Sequence, residues 1–150
     1  MDIRVTFPGG KRVDAAVGAF TIHTDQPVEL GGEGSAPAPF DLFLSALATC
    51  AGIYVVGFCQ ARGIPTDDVQ LLQRSTSDAK TGRLRHVQLD VVVPASFPAA
   101  YRDAVARAAA ACKIKKTLAD PPTIEVATRA VDDAPSETSA SASLADQRPQ

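Results

Sequence analysis

Residues 42–59, Leu-Phe-Leu-Ser-Ala-Leu-Ala-Thr-Cys-Ala-Gly-Ile-Tyr-Val-Val-Gly-Phe-Cys, hold 18 positions without one charged side chain. Pro39 suits a first helical position, and Gly63 ahead of Pro65 supplies a left-handed stop, so the run reads as one long helix. Its apolar residues fall on every face, and a helix of that kind must be covered all round. A bilayer is one such cover, because 18 residues reach the lower end of the roughly 17 to 25 needed to span it. Ser45, Thr49 and many small residues weaken that reading, and the amphipathic strands on either side need a water-soluble core to pack on. A soluble protein with a buried central helix, and no membrane association, is expected. One small domain does not surround such a helix, so a second copy is the economical cover. Ala46, Ala48, Ala51, Gly52 and Gly57 would permit close approach in a homodimer.

The flanking segments alternate polar and apolar residues. Residues 2–7 and 12–17 do so about the turn Pro8-Gly9-Gly10-Lys11, which reads as a hairpin, and a third strand covers residues 19–24. A loop rich in Gly and Pro, residues 26–39, leads into the helix. Residues 69–77 and 84–93 flank Asp78-Ala79-Lys80-Thr81-Gly82 as a second hairpin, with Val87, Leu89 and Val91 on one face. A second helix follows, with Ser96 as cap, Pro98 in its first turn, and Tyr101, Val105, Ala109 and Cys112 along one apolar stripe. A short turn carrying Lys113, Lys115 and Lys116 precedes a last strand over residues 123–130. The order β-β-β-α-β-β-α-β predicts an α+β fold of antiparallel sheets packed around a long central helix. Residues 1–131 are expected to form the domain. Residues 132–150 have almost no bulky apolar side chain and are expected to be a disordered tail.

Charge and cysteine content narrow the chemistry. A net charge of -2, with both signs mixed along the chain, leaves no basic stripe for a phosphate backbone, so nucleic acid is not an expected partner. The start Met1-Asp2-Ile3-Arg4 reads as strand and not as a secretory signal, which makes the cytoplasm the expected compartment. Three cysteines in that setting argue against a disulfide framework. With no C-x-x-C and only His23 and His86, no metal is expected, and no organic cofactor is indicated.

Cys50 and Cys59 lie nine positions apart, on opposite helix faces and about 13.5 Å apart along the axis. A disulfide requires Cα atoms within about 7 Å, so Cys112 alone remains as an intrachain partner for Cys50. All three thiols also fit as small buried hydrophobes, the commonest role of free cysteine. The residues by themselves leave both readings open.

Pro39-Phe40-Asp41-Leu42-Phe43-Leu44-Ser45-Ala46-Leu47-Ala48-Thr49-Cys50 and Cys112-Lys113-Ile114-Lys115-Lys116-Thr117-Leu118 resemble the two cysteine motifs of the OsmC/Ohr hydroperoxide-reductase family, and the likeness spans about residues 1–130. The resemblance implies an intertwined dimer in which Cys50 attacks organic hydroperoxides and Cys112 resolves the oxidised product. It also implies recycling by a small dithiol of the lipoyl type. Family peroxidases use a hairpin arginine after two glycines; here Lys11 holds that place and Arg12 follows. Their acidic partner matches Asp41 or Phe40, although on a straight helix Asp41 points away from Cys50, and Glu33 is a further candidate. The proline that usually follows the second cysteine is replaced by Lys113. The chemistry explains the set, since a thiolate needs a nearby cation and its sulfenic acid needs a second thiol.

The alternative function is a non-catalytic member of the fold, binding a small apolar ligand at the dimer interface or sensing redox state. Gly31-Gly32-Glu33-Gly34-Ser35 lacks the lysine of a phosphate cradle and reads as a mobile loop. The three lysines read as solvated surface, and neither histidine is assigned a role.

Overall fold

The computed structural model describes residues 1–130. The expected tail, residues 132–150, lies outside them. Strands β1 (Ile3–Gly9), β2 (Arg12–Val17) and β3 (Phe20–Thr24) form an antiparallel sheet in that order. Gly9 and Gly10, at φ 130° and 59°, close the first turn in conformations that side chains resist. Asp14 faces His23 across β2 and β3, with Oδ2 and Nδ1 2.9 Å apart. Helix α1 (Pro39–Gln60) begins with Pro39 at its first position, and a turn over residues 61–63 ends at Gly63, φ 63°. Strands β4 (Gln70–Ser77) and β5 (Leu84–Val92) form a separate antiparallel hairpin, followed by α2 (Arg102–Ala110) and α3 (Lys113–Ala119). The mixed α and β composition, the antiparallel sheets and the long helix agree with the sequence reading.

The core sits between α1 and α2. Leu47, Ala51, Val55 and Cys59, every fourth residue of α1, meet Phe97, Val105, Ala109 and Cys112. Val87, Leu89 and Val91 of β5 close one side, half-buried, as their alternation predicts. The β1–β3 sheet, by contrast, packs extensively on no other element.

Three expectations are corrected. Residues 121–130 have no regular secondary structure, and Ile124 and Val126 stand 83% and 94% exposed. A strand needs an edge to pair with, and this segment pairs with none among the described residues. Ser96 is not a helix cap: Pro98 keeps extended ψ, a 3₁₀ turn over Ala99–Tyr101 intervenes, and α2 starts after it. Cys112 does not end the α2 stripe either, because α2 stops at Ala110; the lysine segment after Cys112 is helix α3.

The loop before α1 has an anchor that the sequence reading missed. The buried Asp25 carboxylate accepts the backbone N–H of Gln26, Glu33 and Ser35 and the Ser35 hydroxyl, at 2.8 to 3.1 Å. The Ser35 backbone bond leads the effects that hold its pKa down to about 2 against the opposing effect of burial. Gly32 is required beside it, since a Cβ there would lie 1.9 Å from the Gln26 carbonyl oxygen.

Candidate functional site

Three thiols converge on the α1–α2 core in three different environments, all of them free. Cys50 flanks the buried stripe of α1, half-buried and packed on the core from its edge. Cys59 lies within the stripe, fully buried; desolvation pushes its thiol pKa up, opposed more weakly by Arg62. A thiol held in its neutral form is a poor nucleophile. Cys112 is also fully buried, at the N-cap of α3, where its Sγ accepts the Lys115 backbone N–H at 3.4 Å. Cys50 and Cys112 thus share one core, the first reaching its margin and the second sealed within it.

Along the same core, sharing Leu47 and Ala109 with it, lies an apolar cavity of about 340 Å³ that none of the three cysteines lines. Leu47, one turn before Cys50, lines it together with Leu89, Val91, Ala109 and Leu118, and Lys115 brings the one charged group of its lining. The cavity borders the turn that Cys112 caps. An apolar molecule fits this lining better than a strongly polar one.

The remaining candidates stand apart from the thiols in this chain. Lys11 and Arg12 are exposed at the tip of the β1–β2 hairpin, lining a shallow cleft with Gly9, Gly10, Gln26 and Leu30. Asp41 occupies the third position of α1, and its carboxylate accepts the Ala38 N–H at 3.3 Å, a helix-capping role. The Glu33 side chain is exposed, while its backbone N–H serves Asp25. Among the described residues no ion pair or hydrogen bond joins Lys11, Arg12 or Asp41 to a cysteine. No group of three or more His, Cys, Asp and Glu gathers there as a metal site.

The outer face of α1 is uncovered. Ile53 is 70% exposed and Val56 38%, next to Thr49 and Gly57. This helix is long and apolar enough to cross a membrane, with a mean hydropathy of 2.0 over 18 residues, and only 22% of that window is buried. Its inner face nevertheless packs on α2, α3 and β4 as the core helix of a folded body.

The family model for OsmC-like proteins matches residues 32–127. Comparison with curated proteins finds no match. Among solved structures, a protein from Psychrobacter arcticus 273-4 named for osmotic stress and detoxification response aligns at TM-score 0.67 and 22% identity, covering 77% of this chain and 85% of its own. An OsmC-like protein from Mycoplasma pneumoniae aligns at TM-score 0.61 and 18% identity, covering 79% and 86%. A Legionella pneumophila protein named as organic hydroperoxide resistance protein OsmC aligns at 0.50 and 21%, covering 79% and 89%. At these identities the structural likeness concerns the fold.

Proposed function

As the chain belongs to the OsmC-like protein family, we propose that it is a thiol-dependent peroxidase that reduces organic hydroperoxides, with Cys50 as the attacking residue and Cys112 as the resolving one. The observation that carries this reading is the pairing of a half-buried Cys50 with a capped, buried Cys112 on one core, beside an apolar cavity. The Cys50 thiolate attacks one peroxide oxygen, the O–O bond breaks, and the alcohol leaves once it is protonated. Cys50 is then a sulfenic acid. The Cys112 thiol displaces its oxygen as water, forming a Cys50–Cys112 disulfide. A small dithiol of the lipoyl type restores both thiols by exchange, becoming a disulfide itself. Cys59, with its raised pKa, takes no part.

The reading includes a cytoplasmic homodimer. The uncovered face of α1 and the unpacked β1–β3 sheet are surfaces that a second copy would bury. In that assembly the hairpin of one copy brings Lys11 or Arg12 over Cys50 of the other and supplies the cation a thiolate needs. Asp41 stays in its capping role and steadies the helix start. The apolar cavity also favours the alternative, a binding protein without turnover.

Turnover separates the two. Purified protein given cumene hydroperoxide and a dithiol should consume the peroxide at a rate that Cys50→Ser abolishes. Consumption no faster than that of Cys50→Ser would reject the peroxidase and leave the binding protein.

A further inference from the structure

The first turn of α3 depends on a sulfur. Cys112 sits at its N-cap in extended conformation, φ -60° and ψ 148°, and Sγ accepts the Lys115 N–H at 3.4 Å. Sulfur is a weak acceptor in a place where Ser, Thr, Asp or Asn are the effective caps. The other features of α3 oppose a stable helix. It has seven residues, and helices shorter than about 12 to 15 are marginal on their own. Lys113, Lys115 and Lys116 occupy three of its first four positions with no acidic residue among them, which sets cations against the positive end of the helix dipole. None of its side chains is fully buried, and only Ile114 is half-buried against the core.

Cys50 and Cys112 are free thiols, and a disulfide would bring their sulfurs to about 2 Å, closer than free thiols stand. One of them has to move. α1 is a 22-residue helix anchored by four buried side chains, whereas α3 packs on α1 with one sulfur cap, one half-buried isoleucine and no fully buried side chain. The weaker element yields. It also forms a wall, because Lys115 and Leu118 line the apolar cavity.

Resting on the peroxidase reading above, we propose that α3 is a redox-released latch: forming the Cys50–Cys112 disulfide withdraws the sulfur from Lys115 N–H, α3 unwinds, and the cavity wall opens to admit the reducing dithiol. The step balances as a condensation of the Cys50 sulfenic acid with the Cys112 thiol that releases water, the oxidant being the organic hydroperoxide. Dithiol exchange then returns the Cys112 thiol to the cap, and α3 closes. In the reduced state the latch shields Cys112 from oxidants other than the Cys50 sulfenic acid.

Hydrogen exchange on the full chain tests this, followed over peptides spanning residues 113–119 with α2 peptides as reference. Oxidation by tert-butyl hydroperoxide should speed exchange in α3 about tenfold or more while α2 stays unchanged, and a dithiol should reverse it. Reduced Cys112→Ala, which lacks the cap, should show the same acceleration. Reduced Cys112→Ser should exchange no faster than the parent, because its hydroxyl caps at least as well. Cys112→Ala with parental protection would overturn the latch. If the alanine variant does not fold, the oxidised parent and the serine variant decide. Peptide mapping of the oxidised sample separates the two failures: a linked pair with a protected α3 overturns the latch alone, and an unlinked pair overturns the peroxidase reading and the latch with it.

Discussion

The body formed by α1, α2 and the β4–β5 hairpin closes a core around Val105, whereas the amino-terminal sheet leaves Ile3, Val5, Phe7, Phe20 and Ile22 in solvent. Both regions are built from residues that alternate or repeat as regular elements require. They differ in what lies opposite. The body meets its apolar stripe with a second stripe from the same chain, and the sheet packs extensively on no other element among the described residues. The outer face of α1 belongs with the sheet in this respect, since Ile53 and Val56 are also exposed. Secondary structure therefore follows from local pattern in both regions, but burial depends on an opposing apolar face that only one of them has among the described residues.

The comparison breaks most severely in the body. Val105 is 1% exposed, and Val105→Asp would bury a carboxylate with no partner; it should cost about 3 to 5 kcal/mol and leave little folded protein, by circular dichroism and thermal melting. A normal melt would mean that the α1–α2 core is not what holds the body. On the uncovered side the effect should fall on association instead. Ile53→Glu should keep the folded spectrum and move the sedimentation mass from twice the 15.6 kDa chain mass down to that mass. A parent that already sediments as a monomer would contradict the assignment of this face to a second copy.

Between the two regions lies the Asp25 loop. Its charged carboxylate is the form that the Gln26, Glu33 and Ser35 donors favour, and its folded pKa of about 2 lies below the 3.8 of a free aspartate. The stabilisation is therefore complete above about pH 4 and is lost as pH falls through about 2. Proteolysis of residues 26–35 should be unchanged by pH between about 5 and 8, and Asp25→Asn should speed it without moving the melting of the body. A pH-dependent cleavage rate in that interval would mean another group governs the loop. The smallest effect is expected at Cys59. Cys59→Ala should cost about 1 kcal/mol in melting and leave peroxide turnover at the parental rate; a loss of turnover would bring Cys59 into the chemistry.

What was legible in the sequence follows the same division. The hairpins could be read because Val87, Leu89 and Val91 alternate, and the end of α1 because Gly63 adopts the left-handed conformation its position suggested. The core stripe was legible in Val105 and Ala109. The last strand was misread because Ile124 and Val126 alternate as a strand should, yet alternation does not say where the pairing edge is. Cys112 fitted the helical spacing of the second stripe, but spacing does not reveal that the backbone leaves the helix at Ala111 and starts another. Asp25 left only a faint mark, a carboxylate ahead of a glycine-rich segment whose backbone donors need an acceptor. As for Lys11, Arg12 and Asp41, resemblance pointed to them, while the chain holds two at a hairpin tip and one at a helix start.

The central claim is that Cys50 and Cys112, alone of the three thiols, act as a redox pair. Peptide mapping after stoichiometric organic hydroperoxide tests it most directly. The account predicts a Cys50–Cys112 linkage with Cys59 still free, and in Cys112→Ser a sulfenic or overoxidised Cys50 in place of the disulfide. A linkage that contains Cys59, or three thiols that stay unreacted, would contradict it.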